Sequence, residues 1–309
     1  MPRKSIKKRP SRADVNDPSV WLHLENNTSK EAEYLRKRYD YHPIDLKEIL
    51  PPLQRPKLVL RDDYLFMILL FPIFNRFDGT IRTSEVDFFI SPNRLVTVNA
   101  DKIPSINYLY RQFGQRSEGK VEIAGILHDL LSALLESVFP MLVHISQDID
   151  DVEKHLFNGN QREVISELLR IKTNIVNTRK AMQGQQKVIH ALMDEGAQMV
   201  RIYNMHEYYE RLVEYTREIW DMLDVQRDTI NALHEAHAAY LSNKTGEIMK
   251  LLTIFSVVIF PITFVATLFA MDVSGIPFHD DPFGFYKVLG LISIVILMMV
   301  LFFKKKKWF

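Results

Sequence analysis

The chain has no cysteine among its 309 residues. That excludes a disulfide framework and any thiolate metal site, and nothing in the sequence requires an oxidising compartment. It also lacks a Walker loop, a dinucleotide fingerprint and a nucleophile elbow, so nucleotide-driven pumping and hydrolase chemistry are without their usual machinery and no enzyme is expected. Net charge is scarce: 39 Lys and Arg stand against 38 Asp and Glu, leaving +1, which gives little support for a nucleic-acid partner. The basic stretch from Met1 to Arg12 is not followed by an apolar run. It therefore reads as a solvated, flexible tail over residues 1–18 rather than a signal peptide.

The most telling absence is local. From Leu251 to Met271, LLTIFSVVIFPITFVATLFAM, there is no charge for 21 residues. At 1.5 Å per residue that spans about 30 Å, the thickness of bilayer hydrocarbon. Pro261 inside it removes one backbone hydrogen bond and predicts a kink. A second apolar run, Phe283 to Phe303, carries only Lys287, near one end where its ammonium can snorkel to the interface. The acidic segment DVSGIPFHDDP separates the two runs, and Lys304 to Lys307, Trp308 and Phe309 follow the second. The positive-inside rule puts that lysine cluster in the cytoplasm, with Trp308 as an interfacial aromatic. Both termini then lie in the cytoplasm of a multi-pass protein of the cell (inner) membrane, with the acidic loop outside. Two helices per chain cannot enclose a pore, so conduction would need several copies around an axis.

Between Val20 and Ala100 the pattern is strand-like, with VWLHL, KLVLRDDYLFMILLFPIFN, SEVDFFI and NRLVTVN broken by Pro51-Pro52, Asp78-Gly79 and Pro92-Asn93, and short helices fit Ser29 to Tyr41 and Pro43 to Leu50. From Glu122 an apolar period of three and four residues through Leu156 predicts one long helix, and a second runs to about Met193. Past Gly196, Met205, Tyr208, Leu212, Tyr215, Ile219 and Met222 make a coiled-coil-like seam whose phase slips after Gln226. With Gly246 the only helix breaker before the membrane, one stalk helix is expected from about Ala197 to Phe269, continuous with the first span. The predicted fold is an α+β cytoplasmic domain with a long stalk over residues 19–245. A membrane domain over 246–309 follows, with spans at about 250–271 and 283–303, an outer loop at 272–282 and a basic tail at 304–309.

The run HPIDLKEILPPLQRPKLVLRDDYLFMIL, the junction SNKTGEIMKLLTI, the FPITF at Phe260 to Phe264 and the terminal KKKKWF together resemble the CorA family of divalent-cation transporters. The resemblance implies a funnel-shaped homopentamer in the lipid bilayer, its first span lining a pore and its cytoplasmic domain sensing magnesium. Members end the first span with Tyr-Gly-Met-Asn; here the same place reads Phe269, Ala270, Met271, Asp272. By that comparison Ala270, Met271 and Asp272 form the mouth, with Asp272 a candidate metal contact. Met249 and Leu252 fall at a hydrophobic gate, Thr263 at a pore-facing hydroxyl, and Gly246, Ser256 and Phe260 complete the lining. A ring of Asp would accept hydrogen bonds from the water shell of magnesium and add negative charge, a cation-selecting device; carboxylates also accept transition metals directly. Gly246 stands where an asparagine is usual, and Arg211, beside Glu210, stands where members place the aspartate used in magnesium sensing.

Three further groups have weaker readings. His234 and His237 are three apart, whereas the zinc-protease motif needs four, so ordinary stalk histidines are favoured, although His237 on a symmetric seam could form a metal-binding ring. His279, Asp280 and Asp281 in the outer loop could concentrate cations by their field. Asp148, Asp150 and Asp151 could bind magnesium between subunits, but a charge run is usually a solvated face. The function implied is a channel for divalent cations, magnesium foremost, with cobalt or nickel as related cargo, driven by the electrochemical gradient without a cofactor beyond transported or regulatory Mg2+. Two alternatives stay open: a non-conducting membrane scaffold or regulator, and a transporter of zinc or another transition metal.

Overall fold

The computed structural model describes residues 20–115, 122–157, 160–271 and 282–305. Five strands, β1 (Val20–Leu24), β2 (Lys57–Leu60), β3 (Leu65–Asn75), β4 (Thr80–Ser91) and β5 (Arg94–Asn99), form one sheet in the order β1-β5-β4-β3-β2. Only β1 and β5 pair in parallel; β2 to β5 form an antiparallel meander. Successive side chains on a strand point to opposite faces, and here both faces are covered. Leu65, Met67, Leu69, Val86 and Phe88 enter the larger core, whereas Phe66, Ile68, Phe89, Val96 and Val98 enter the smaller one. That double cover explains why β3 reads as a near-continuous apolar run instead of an alternating one.

The smaller core is closed by α1 (Ser29–Tyr39) and α2 (Pro43–Glu48). Thr28 caps α1, accepting from the Lys30 N–H at 3.3 Å, and Pro43 opens α2 where its missing N–H costs no helical bond. In the first turn of α2 lies Asp45, fully buried, held by Arg61 at 2.6 and 3.0 Å and by the Tyr64 hydroxyl at 2.7 Å. Burial, ahead of the Asp45 contact, pushes the Tyr64 phenol up to about 12.

The larger core is built by α3 (Pro104–Gln115), α4 (Ile123–Glu136), α5 (Phe139–His155), α6 (Gln161–Met182), α7 (Gln185–Glu195) and the short α8 (Ala197–Val200), followed by a 3₁₀ turn at Ile202–Met205. Three departures from the periodicity reading have local causes. The helix expected through Glu122 to Leu156 is two, divided at Ser137 and Val138, with Pro140 in the first turn of α5, where a continuous helix would lose a hydrogen bond and clash. The next helix is divided at Gly184, whose φ of +84° a side chain rarely adopts. The long helix starts at His206 rather than Ala197, because Arg201 takes φ 58° and ends α8.

That helix, α9 (His206–Ala270), runs unbroken for 65 residues and holds Pro261 within it; α10 (Gly284–Lys305) follows. The chain divides into two compact units, Met1–His234 and Glu235–Phe309. In the first, α9 is fixed by polar contacts as well as apolar ones: the Tyr209 hydroxyl donates to the Ala124 carbonyl at 2.9 Å, and the Gln226 amide donates to the Leu142 carbonyl at 2.7 Å and to Ser146 at 2.9 Å. Gln226 is buried. The phase slip in the seam falls at this residue, where a buried amide stands between the buried Leu223 and Ile230.

Candidate functional site

Three helical stretches are long and apolar enough to cross a membrane by length and composition: Ile123–His155, His206–Ala270 and Gly284–Lys305. The first is a core element. Ile123, Leu127, Leu130, Leu131 and Leu134 are buried in the same cluster as the sheet residues Leu65, Phe88 and Leu95, so its leucines are accounted for by packing. The other two bury none of their apolar windows. Phe255, Phe260, Phe264, Phe285 and Ile294 are all more than half exposed, and water disfavours apolar surface of that extent.

Within the second unit the Ser and Thr hydroxyls of α9 are not scattered. Ser242, Thr245, Met249, Thr253, Ser256, Phe260, Thr263, Thr267 and Met271 follow one another in steps of three or four, which at 3.6 residues per turn keeps them on one side of the helix. Every Ser and Thr between Glu235 and Met271 lies on that stripe. From Leu251 onward the opposite side, including Leu251, Phe255, Val258, Ile262 and Phe269, is wholly apolar. The hydroxyls bond inside their own helix: Thr245 donates to Leu241 at 2.9 Å, Thr253 to Met249 at 2.7 Å, Ser256 to Leu252 at 2.9 Å, Thr263 to Ile259 at 3.0 Å and Thr267 to Phe264 at 2.9 Å. Such back-bonding lets a hydroxyl sit in an apolar helix without an orphaned donor.

Of the residues singled out in the sequence, Met249, Ser256, Phe260, Thr263 and Met271 lie on the stripe, Gly246 and Leu252 flank it, and Ala270 ends the helix. At Gly246 an added Cβ would meet nothing within 4 Å, so packing within one chain does not require glycine there. Pro261 does not end the helix; it leaves the Val257 carbonyl without its usual i+4 donor. Asp272, His279, Asp280 and Asp281 lie outside the described residues. Sequence reasoning passed over Thr253 and Thr267. Their three-and-four spacing from Ser256 and Thr263 was a usable signal.

The remaining candidates are engaged elsewhere. Arg170 donates to Asp148 at 2.7 Å, to Glu167 and to the Gly79 carbonyl at 2.9 Å. Lys154 lies 2.9 Å from Asp151 and holds its carboxyl below the usual range. Among the described residues no group of three or more His, Asp or Glu could hold a metal ion; His237 is buried and His234 exposed. Arg211, exposed, places its guanidinium 5.6 Å from the centre of the Tyr215 ring, and Glu210 lies 3.5 Å from His206.

A sheet covered by helices on both faces, one very long helix and a second apolar helix after it is an arrangement that can be compared with known proteins. A family model described as CorA-like Mg2+ transporter protein matches residues 16–306. The chain belongs to that family. Members of the CorA family are membrane transporters, and α9 and α10 are the two helices here whose apolar windows lie outside the packed core. The cobalt/magnesium transport protein CorA of Thermotoga maritima is 26% identical over 273 residues, covering 87% of this chain and 77% of that protein. The complete structure of the CorA magnesium transporter from Methanocaldococcus jannaschii superposes with a TM-score of 0.82 at 22% identity, covering 94% of this chain and 91% of that one. The full-length CmaX protein superposes with a TM-score of 0.76 at 20% identity, covering 94% and 89%. At those identities the two superpositions speak for the fold.

Proposed function

We propose that this CorA-family chain is a channel for divalent metal cations, magnesium foremost, that works as a homopentamer in the cell membrane with both termini in the cytoplasm. In this reading α9 faces the common axis with its hydroxyl stripe, α10 faces lipid, Met249 and Leu252 close the cytoplasmic end by dewetting, and Ala270, Met271 and Asp272 form the outer mouth. The observation that carries it is the one-sided distribution of hydroxyls on the charge-free segment of α9 from Leu251 onward. A helix surrounded by lipid alone has no use for a polar side, whereas one lining a water-filled axis does. The family supplies the cargo: its matched relatives are named for magnesium and cobalt transport.

With no nucleotide-binding motif in the sequence, the driving force is the membrane potential, about 4.6 kcal/mol for two charges at 100 mV. Magnesium dehydrates reluctantly, so a mouth of carboxylates would act on its water shell and on its charge. The purified full-length protein in liposomes, with an imposed inside-negative potential, is expected to admit magnesium. Asp272→Ala should lower that flux about tenfold or more, and Asp272→Asn should retain most of it. Equal flux in the alanine variant would remove Asp272 from the mouth. Absence of flux for magnesium, cobalt, nickel and zinc in the unmodified protein would favour the scaffold.

A further inference from the structure

Phe77 departs from the burial of large apolar side chains that holds through most of the first unit. It is fully exposed, more so than any other large apolar side chain among the described residues, and water disfavours such a ring. It stands at the tip of the β3–β4 hairpin, and that tip is braced. Asn75 Oδ1 accepts from the Phe77 N–H at 3.1 Å, and Asp78 Oδ1 accepts from the Thr80 N–H at 3.0 Å and from its hydroxyl at 2.7 Å. The Gly79 carbonyl accepts from Arg170 and Asn174, both of α6, at 2.9 Å, while Gly79 takes the φ of +66° that the turn requires. A ring carried on a backbone already fixed loses little conformational entropy when it is covered, which suits an anchor residue.

A receptor of matching character lies elsewhere on the same unit. Between α1 and α2 is a cavity of about 310 Å³ whose apolar wall is Ala32, Pro43, Leu46 and Leu50. Glu33, Arg36 and Lys47 also line it and are exposed. The tip offers the complementary charges: Arg76 and Asp78, both exposed, flank Phe77. A ring entering the cavity brings a cation toward Glu33, whose present partner is Lys37 at 2.6 Å, and an anion toward Arg36 and Lys47. Within one chain the two do not meet. Asp45 and the His42 N–H tie α2 to Tyr64, just before β3, whereas Phe77 follows the far end of that 11-residue strand, about 36 Å along it. We propose that the hairpin tip and the α1–α2 cavity are the two halves of a contact between copies of this chain, Phe77 of one copy seating in the cavity of the next. The two surfaces differ, so the contact is heterologous, and repetition by rotation closes it into a ring. The proposal rests on the cyclic homo-oligomer of the function proposed above and names a contact that holds it together.

The absence of cysteine from the chain makes this contact directly readable. Arg76→Cys and Lys47→Cys are introduced together in the full-length protein in detergent, so that every copy carries both halves, and a mild oxidant is added. Where the two positions face each other across the contact, one disulfide joins each copy to the next. The expected result is a reducible ladder on a denaturing gel that runs past the dimer to the closed oligomer, with at most a dimer from either single-cysteine variant. Adding Phe77→Ala, or filling the cavity with Ala32→Trp, should lower the yield of linked species about tenfold. Light scattering on the same samples gives the size of the assembly. An assembled protein with no ladder beyond the dimer, or a ladder that Phe77→Ala leaves unchanged, would overturn the contact while the channel reading stands. A protein that is monomeric in detergent and in lipid would remove the cyclic assembly and the contact together.

Discussion

The two units of this chain use the same residue types in opposite ways. In Met1–His234 the large apolar side chains are inside: Phe88 and Leu130 are fully buried, and polar side chains cross between elements to satisfy the sheet. Asn174 accepts from the Ile81 N–H at 2.8 Å and donates to the Gly79 carbonyl at 2.9 Å, Asn177 donates to the Ile81 carbonyl at 2.7 Å, and the buried Gln185 donates to the Leu70 carbonyl. In Glu235–Phe309 most of the large apolar side chains are outside, with Phe260 71% and Phe285 74% exposed, and the α9 hydroxyls for which a bond is seen donate within their own helix. One unit covers its own apolar surface; the other leaves its apolar surface uncovered within the chain. Length and hydropathy alone do not separate the two, because the stretch Ile123–His155 is also long and apolar enough to cross a membrane. What separates them is where the apolar surface goes.

The largest effect that would sharpen this contrast comes from removing one aromatic ring on each side. Phe88→Ala leaves a cavity in a closed core and should cost about 3–5 kcal/mol of unfolding free energy. Phe260→Ala removes a side chain that covers nothing inside the chain and should leave the same transition within about 0.5 kcal/mol. Denaturant titration of both variants in detergent, followed by a probe of the first unit, checks this. Equal losses would mean that the units are not built differently.

A smaller effect tests how the first unit tolerates buried charge. Glu85 and Asp87 lie on the same face of β4, both buried, with Asp87 Oδ1 and Glu48 Oε2 unpartnered. Glu85 accepts from the Gln54 N–H, and Lys57 lies 2.5 Å from Glu48. Burial first, then the neighbouring Glu85, holds the Asp87 carboxyl well above its ordinary range, and burial raises Glu85 in the same direction. A carboxyl whose folded pKa is raised binds its proton more tightly when folded. Its contribution is complete below the unfolded pKa of about 3.9 and is lost as pH rises toward the folded one. Asp87→Asn keeps a donor toward Glu85 without the proton, so it should flatten the fall in stability above pH of about 4 and gain about 1–3 kcal/mol at the alkaline end. A variant with the same pH slope as the unmodified protein would show that the pair is ionised in the fold.

Much of this contrast was legible in the sequence, and the exceptions have definite causes. The charge-free run Leu251 to Met271 announced itself because nothing else in the chain lacks charge for so long. The strands of the meander were readable from their apolar runs and turn residues. The interruptions were not, because periodicity continues across them: Leu134, Met141 and Ile145 keep helical phase through the break at Val138, and Arg201 adopts φ 58° with no glycine to mark it. The hydroxyl stripe was in the sequence but was read one residue at a time. Asp272 and the outer loop, the most chemically suggestive segment, gained no structural support, since they lie outside the described residues.

The smallest expected effect concerns the acidic face of α5, the place where the first unit could most resemble a metal-binding surface. If it is a solvated face, Asp151→Ala should leave the melting midpoint unmoved, because an exposed ion pair with Lys154 gains little over water. Asp148→Ala should cost only about 1 kcal/mol, because Arg170 keeps Glu167 and the Gly79 carbonyl as partners. If instead these carboxylates held magnesium between subunits, both substitutions would diminish whatever stabilisation added magnesium gives the assembly, in line with its mass-action dependence on the bound ion. Melting each variant with and without magnesium separates the two cases. Arg170 already occupies Asp148, and a divalent ion would have to displace a guanidinium to reach it, so the magnesium-dependent increment should be the same in both variants as in the unmodified protein.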